Sequence, residues 1–322
     1  MTRLILLRLV HGVPLLLAVI IVCFLMLQMI PGDPVQAMVG DFPVTQAFRD
    51  SIEAKYRLND PILTQLGSYL LNFAQGDFGF SFQNQMPVLD LILERLPRTI
   101  LLAVAGFVVA IPVGLVVGLI AGLSPSRRAD RIWTTLTLIA FAIPTFWLGQ
   151  LLVMMFALKL DWFPTQGIGP FVSRAHGVDW LLERLHYLAL PVAVFVVHEG
   201  ARAARIMRAS VQETLSQGYI VNARMKGLTR GEIIRKHLLR NSVLPVVTTS
   251  GYAFASTLGG TVLIESVFTW PGLGLLLVDA VRARDNMTVV GVVVVAAAMV
   301  IVVNLLVDVI YALTDPRVRS AR

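Results

Sequence analysis

Thr99 to Leu123 reads TILLAVAGFVVAIPVGLVVGLIAGL, with no charged residue from end to end. An apolar run of about 18 residues or more is long enough to cross a bilayer as a helix. Runs of the same kind recur on both sides of it. Leu9–Ile30 is uncharged, with His11 and Pro14 near its start. Ile132–Leu158 is uncharged but holds Pro144, which removes a backbone hydrogen bond and predicts a kink. Val243–Ile264 and Met287–Val307 are two more. Tyr187–His198 is shorter, and a span over about Leu185–Arg205 needs Glu199 and Arg202 to lie at the interface or face protein. Together these predict an all-α polytopic membrane protein with six transmembrane helices. A β-barrel would show alternating segments of about ten residues instead.

Composition points the same way. Of the 322 residues, 56% are hydrophobic and 15% charged, against about 25% charged in an ordinary soluble domain. The first run exceeds the roughly 7–15 apolar residues of a signal peptide, and Pro31-Gly32-Asp33-Pro34 follows it in place of a cleavage site. A retained first span is therefore expected. Cys23 is the single cysteine, so neither an intrachain disulfide nor a cysteine metal site is available. The five histidines are scattered, and His198-Glu199 is followed by Arg202 where a zinc hydrolase needs histidine. No metal site is predicted.

The net charge of +7 is explained by topology. Six spans put both termini on one side, with loops 124–131 and 199–241. That side carries 17 Lys/Arg against 6 acids, and the other 10 against 14. The positive-inside rule places the basic side in the cytoplasm, and nothing is left to suggest nucleic-acid binding. The division expected is 1–30 as N-terminus and first span, 31–98 as an outer loop subdomain, and 99–315 as a five-span core with a cytoplasmic loop at 207–242. A tail, 316–322, follows. Within the outer loop, Ser51–Leu58 and Pro61–Phe73 read as short helices, and Gly76-Asp77-Phe78-Gly79 as a bend.

The most basic stretch is Gln217–Pro245, QGYIVNARMKGLTRGEIIRKHLLRNSVLP. Gly227 separates two helix-like pieces and permits a sharp change of direction. The residues alone leave two readings open, docking to a partner protein or adhesion to anionic lipid. Arg202, Arg205 and Arg208 recur every three residues, either as snorkelling anchors or as contacts to a partner. Glu265, Phe268, Trp270 and Pro271 stand at the outer end of the fifth run, as a gate, a protein contact or an interfacial anchor. Asn304 and Asp308 lie four apart on one helix face, lining a pathway or joining two helices. Catalysis finds no support. There is no Gly-x-Ser-x-Gly elbow and no phosphate-binding Gly-x-x-x-x-Gly-Lys-Ser/Thr. An ion-driven secondary transporter is the physical rival, but the halves show no clear internal repeat.

Asn222-Ala223-Arg224-Met225-Lys226-Gly227-Leu228 resembles the coupling-loop motif of binding-protein-dependent ABC importer permeases of the dipeptide, oligopeptide and nickel group. Other matches follow in family order over nearly the whole chain. They are Pro31-Gly32-Asp33-Pro34, Gly76-Asp77-Phe78-Gly79, Leu96-Pro97-Arg98-Thr99, Pro144-Thr145-Phe146-Trp147-Leu148-Gly149, Arg235-Lys236-His237 and the segment Glu265–Gly274. Val221-Asn222-Ala223 stands where the general motif opens Glu-Ala-Ala, so an acidic contact does not carry over. The resemblance implies a type I ABC importer permease fold in a bacterial cytoplasmic membrane. It implies a homologous second permease, two cytoplasmic ATPases that hold ATP and Mg, and an external substrate-binding protein. No cofactor is then bound by this chain. Tyr219–Leu228 becomes the coupling helix, with Tyr219, Asn222, Ala223, Arg224, Lys226, Gly227 and Leu228 as coupling residues. Ala223 is expected to allow close approach to the ATPase. Glu265, Phe268, Trp270 and Pro271 become an outer gate or a binding-protein contact, and Asn304 lines the pathway. The implied cargo is peptides or similar small solutes.

Overall fold

In hydrocarbon no water satisfies a backbone amide, so a lone apolar run folds as a helix that closes its hydrogen bonds within itself. The structure is a computed structural model that describes residues 2–30, 33, 35, 36, 45–124, 126–170 and 176–314. Apart from Asp33, the Pro31–Pro34 motif lies outside the described residues, as does the tail from 315. Helix α1 is Thr2–Gln28. Next come α2 (Gln46–Tyr56) and α3 (Ile62–Ala74). The first of these starts five residues before the predicted Ser51, because the Thr45 hydroxyl caps it by accepting from the Phe48 N–H at 3.4 Å. A small hairpin, β1 (Phe80–Ser81) and β2 (Met86–Pro87), pairs antiparallel.

The long helix α4 is Val88–Gly122. Helix α5 (Arg127–Ala142) stops before Pro144, and α6 (Thr145–Leu152) resumes and runs on π-helically to Lys159. The kink predicted at Pro144 is a 93° break. Helix α7 is Val178–Leu215, α8 is Gly218–Met225 and α9 is Arg230–Ile233. A π-helical turn, Ile234–Leu238, joins α9 to α10 (Leu239–Gly260). Then follow α11 (Val262–Val267), α12 (Leu273–Arg282) and α13 (Asn286–Thr314).

All six apolar runs are helical. Arg8–Gln28, α4, α7 and Asn286–Val309 are each long and apolar enough to span, and α5 with α6 makes a fifth if the bent pair counts as one. The sixth, α10, has 22 residues, about 33 Å of helix and thus a full crossing in length. It is more polar than the others. Thr248, Thr249 and Ser256 turn their hydroxyls onto the carbonyls of Leu244, Pro245 and Tyr252, one turn back in the same helix. The run that looked too short, Tyr187–His198, is the middle of a 38-residue helix. That helix is about 57 Å long, more than the roughly 40–45 Å of a bilayer with its headgroups.

The chain divides into two compact units. One comprises residues up to Thr99, 258–262 and those from Pro271 onward. In it Phe24 of α1 meets Tyr69 of α3 at 5.3 Å, and Tyr69, Phe73 and Phe78 continue the aromatic row. Ile20, Cys23, Val290 and Val294 complete that cluster. The outer segment therefore packs on the first and last spans and does not stand alone. Asp285 pins the hairpin to the start of α13. The Ser81 and Thr288 hydroxyls donate to its carboxylate at 2.5 and 2.7 Å, and all three residues are buried. At the other end of α13, Asp308 is buried against Arg8 at 2.8 Å.

The second unit comprises Ile100–Thr257 and Leu263–Trp270. Its frame is the contact of α4 with α7. A Cβ on Gly114 would fall 2.6 Å from the Gly200 carbonyl oxygen, and one on Gly118 would fall 2.5 Å from that of Ala204. Gly122 repeats the spacing against Val211. Positions four apart on one helix face, all without side chains, let two backbones touch. We expect Gly118→Val to cost about 1–3 kcal/mol or more through overpacking. It should lower the yield of monodisperse protein in detergent. Gly67→Ala, in open space on α3, should be neutral or slightly stabilising in the same assay.

Candidate functional site

The basic stretch becomes a tight corner built from two caps placed back to back. Helix α8 ends at Lys226, and Gly227 takes φ +77°. The Gly227 N–H donates to the Arg224 carbonyl at 2.9 Å, and the Leu228 N–H to that of Ala223 at 3.2 Å. This is a Schellman C-cap, which needs a left-handed residue where Gly227 stands. Two residues after Gly227, Thr229 caps the start of α9. Thr229 Oγ1 accepts from the Glu232 N–H at 3.4 Å, and the Thr229 N–H donates to Glu232 Oε2 at 3.0 Å. The bond from the Thr229 N–H, with those from Lys236 and the Thr229 hydroxyl, holds the Glu232 carboxyl down to about 2. The Thr229-x-x-Glu232 spacing is a legible capping-box signature that the sequence reading passed over.

Beneath the corner lies a small core of Ile220, Ala223 and Ile233, with Leu228 against it. Ala223 is only 6% exposed, and its small side chain packs into the corner's own core. Tyr219 is half tied down, its hydroxyl accepting from Asn241 Nδ2 at 3.0 Å. Asn222, Arg224, Lys226 and Gly227 are exposed and Leu228 is half-buried. Two further side chains stand out. Val221 is 48% exposed and Met225, four residues on, is 74% exposed. The signal that could have found them is apolar side chains four apart on a short helix inside a charged loop.

The corner is braced on α7. Ala203, Met207 and Val211 pack with Leu238 and Val246, and Ser242 donates to Thr214 at 3.1 Å in a buried contact. Arg208 holds Asp130, at the start of α5, by two bonds of 2.6 and 2.7 Å. Arg230 reaches the Leu123 carbonyl at 3.4 Å. The corner is thus joined by packed and hydrogen-bonded contacts to α7 and the end of α4, and α7 to α5.

At the other candidate site, Glu265 is 0% exposed, and Phe268 and Trp270 are buried in the core with Phe107 and Phe195. The Trp270 N–H donates to the Glu265 carbonyl at 2.8 Å, and the Gly167 N–H to that of Phe268 at 2.9 Å. These three side chains are thus buried within the second unit. In the other unit Pro271 is half-buried, its carbonyl accepting from Arg98 at 3.4 Å. Asn304 is half-buried on α13, a turn before Asp308. Among the described residues, no group of three or more His, Cys, Asp or Glu could hold a metal ion.

Long apolar helices, one broken at a right angle, and a braced basic corner define an integral membrane protein of the transport-permease class. The chain belongs to the family of binding-protein-dependent transport system inner membrane components. The family model matches residues 114–320, and the model of its N-terminal part matches 1–103. The chain is 37% identical over 312 residues to the oligopeptide transport system permease protein AppB of Bacillus subtilis, covering 97% of each. It is 38% identical to a putative peptide transport system permease of Brucella abortus, covering 99% of each. The glutathione transport system permease GsiC of Shigella boydii is 36% identical, with 97% of each covered. Its fold is that of ABC importer permeases. A chain of the MetNI methionine transporter superposes with TM-score 0.52 at 17% identity, covering 70% of this chain and 96% of that one. A chain of an amino acid ABC transporter gives 0.53 at 15%, covering 69% and 94%.

Two outcomes follow for the corner. Gly227→Val should open the C-cap, seen as faster tryptic cleavage after Lys226, with wild-type rates counting against the cap. The depressed Glu232 carboxyl stabilises the corner fully above its ordinary value of 4.5, and that contribution is lost as pH falls from there through about 2. Hydrogen-exchange protection over 228–238 should hold from pH 7 to about 4.5 and decline below. Glu232→Gln, which caps without a charge, should flatten that dependence.

Proposed function

We propose that this chain is the permease subunit of an ATP-driven importer of peptides, either di- or oligopeptides, or of similar small solutes. It works in a bacterial cytoplasmic membrane with both termini in the cytoplasm, beside a homologous second permease. Two cytoplasmic ATPases, which hold ATP and Mg, drive it, and an external binding protein delivers the cargo. The chain itself binds no cofactor and catalyses nothing. The observation that carries the reading is the braced corner, an exposed short helix joined to the spans by packing instead of by a slack loop. Val221, Asn222, Arg224, Met225 and Lys226 form its contact face, Gly227 and Leu228 its fixed end, and Ala223 its inner support. Closure of the ATPases on ATP pushes α8, and α7 carries the displacement into the membrane. Because coupling is reciprocal, a docked loaded binding protein raises ATP hydrolysis.

Glu265, Phe268 and Trp270 serve as an outer gate by filling the core, with Pro271 ending the segment, and Asn304 lines the pathway. The cargo reading follows the peptide and glutathione systems to which the similar permeases belong.

The test is the reconstituted complex. Met225→Asp and Val221→Asp alter exposed side chains that the corner's own core does not use. Both should lower the stimulation of ATPase by loaded binding protein about tenfold, as truncating an interface anchor does, while the permease still folds. Full stimulation in both variants would remove α8 as the lever. Uptake driven by an ion gradient without ATP would make the chain a secondary transporter instead.

A further inference from the structure

Helix α7 carries ionisable side chains deep within its span. Gly200, Ala204, Met207 and Val211 form the stripe packed on α4. His198, Arg202 and Arg205, spaced by four and three, lie on the opposite face. Depth can be read from α4. Gly200 approaches the Ala110 carbonyl, and Gly122 at the end of α4 approaches Val211. Ala110 is twelve residues above that end, about 18 Å of helix. His198 and Arg202 therefore stand beside the middle of the uncharged run Thr99–Leu123, where lipid tails would not satisfy them.

These groups meet at the break in the bent span. The His198 ring stacks on Phe141 at 4.8 Å and 20°, and the Arg205 guanidinium sits over the same ring at 5.4 Å. Phe141 is in the last turn of α5, just before the 93° bend. Arg202 touches Glu199 at 2.5 Å, but the contact is not aligned as a hydrogen bond. Among the described residues, Arg202 Nη2 and Glu199 Oε2, although ion-paired with each other, and His198 Nδ1 are buried and make no aligned hydrogen bond. The face thus carries two guanidinium groups, and its one carboxylate, Glu199, pairs with Arg202 without an aligned hydrogen bond. The chemistry that satisfies such a cluster is a second carboxylate. It would accept the paired N–H groups of Arg202 and displace the misaligned Glu199.

We propose that His198, Arg202 and Arg205, with Phe141, form a carboxylate-binding station at membrane depth that takes the C-terminal carboxylate of a peptide in passage. This rests on the peptide-import reading above. Glu199 holds Arg202 when the station is empty and competes for it when the station is full, so the carboxylate is bound but released. The flat Phe141 face stacks on the His198 ring and carries the Arg205 guanidinium, which fixes where both groups stand.

The whole transporter, reconstituted in proteoliposomes with its partner permease, ATPases and binding protein, tests this. ATP-driven uptake of one peptide is compared with uptake of its C-terminal amide, in wild type and in Arg202→Gln. The preference of the binding protein is common to both complexes and cancels in the comparison. The acid-to-amide uptake ratio should fall about tenfold in Arg202→Gln, the loss of one charge-assisted pair. Arg202→Lys, which keeps the charge without the fork, should fall between. An unchanged ratio overturns the station. So does loss of the partner permease from the variant complexes, which makes this face a subunit contact. The same ratio change in wild type on removing anionic lipid also overturns it, by assigning the cluster to a headgroup. A wild-type complex that imports neither peptide defeats the peptide reading, and the station with it. One that imports both, with a ratio indifferent to Arg202, defeats the station alone.

Discussion

The contact between α4 and α7 is the constraint on which the second unit depends. Gly114 and Gly118 bring two helix backbones together closely enough that a single added methyl would overlap a carbonyl oxygen. Helices in a bilayer gain little from burying apolar surface, because the surrounding tails are equally apolar. What holds them is van der Waals contact over a close, matched surface. A stripe without side chains supplies that contact and fixes both register and rotation. The register sets which side of α7 faces away. It also sets the height at which the charged turns of α7 emerge, and hence where the basic corner stands.

From that fixed helix the corner inherits its stiffness. Two residues, Gly227 and Thr229, do most of the local work, one closing α8 and the other opening α9. Neither cap is strong alone, each contributing about 1 kcal/mol in ordinary settings. Back to back they leave no free backbone between helices. Leu228 fills the gap by packing on Ile220, Ala223 and Ile233. A loop of the same length without caps would absorb a push by changing its own dihedrals. This one has its dihedrals fixed at both ends by caps.

The apolar runs, the break at Pro144 and the turn at Gly227 were all legible, because each is written in consecutive residues. Uncharged length, a missing amide donor and a missing Cβ act locally. The fourth span was harder, since its apolar middle is short and its charged ends belong to the same helix. The inward turn of Ala223 was not legible. It depends on Ile233, ten residues later and in another helix. The burial of Glu265, Phe268 and Trp270 was hidden for the same reason. An acid and two aromatics beside a Pro-Gly pair look like an interface loop, yet Phe268 and Trp270 join a core built from residues of α4, α6, α7 and α10. Asp308 read as a helix end or a helix–helix contact. Its partner, Arg8, is three hundred residues away.

The three arginines of α7 show how spacing and depth divide one motif into separate jobs. A step of three residues turns about 300° around a helix, so each arginine is rotated by about 60° from the one before and sits about 4.5 Å further along. Arg208, nearest the end, finds Asp130 in the first turn of α5 and makes a structural fork. Arg205, one step in, lies over the face of Phe141. Arg202, deepest, finds Glu199 on its own helix in a strained approach. The quality of the partner falls as depth increases, the reverse of what stability alone would select, since an unsatisfied charge costs more the further it lies from water. A chain that needed only an anchor would have placed its best-paired arginine deepest. The gradient in pairing follows the membrane inward to the break in α5 and leaves hydrogen-bonding capacity where a passing solute would meet it.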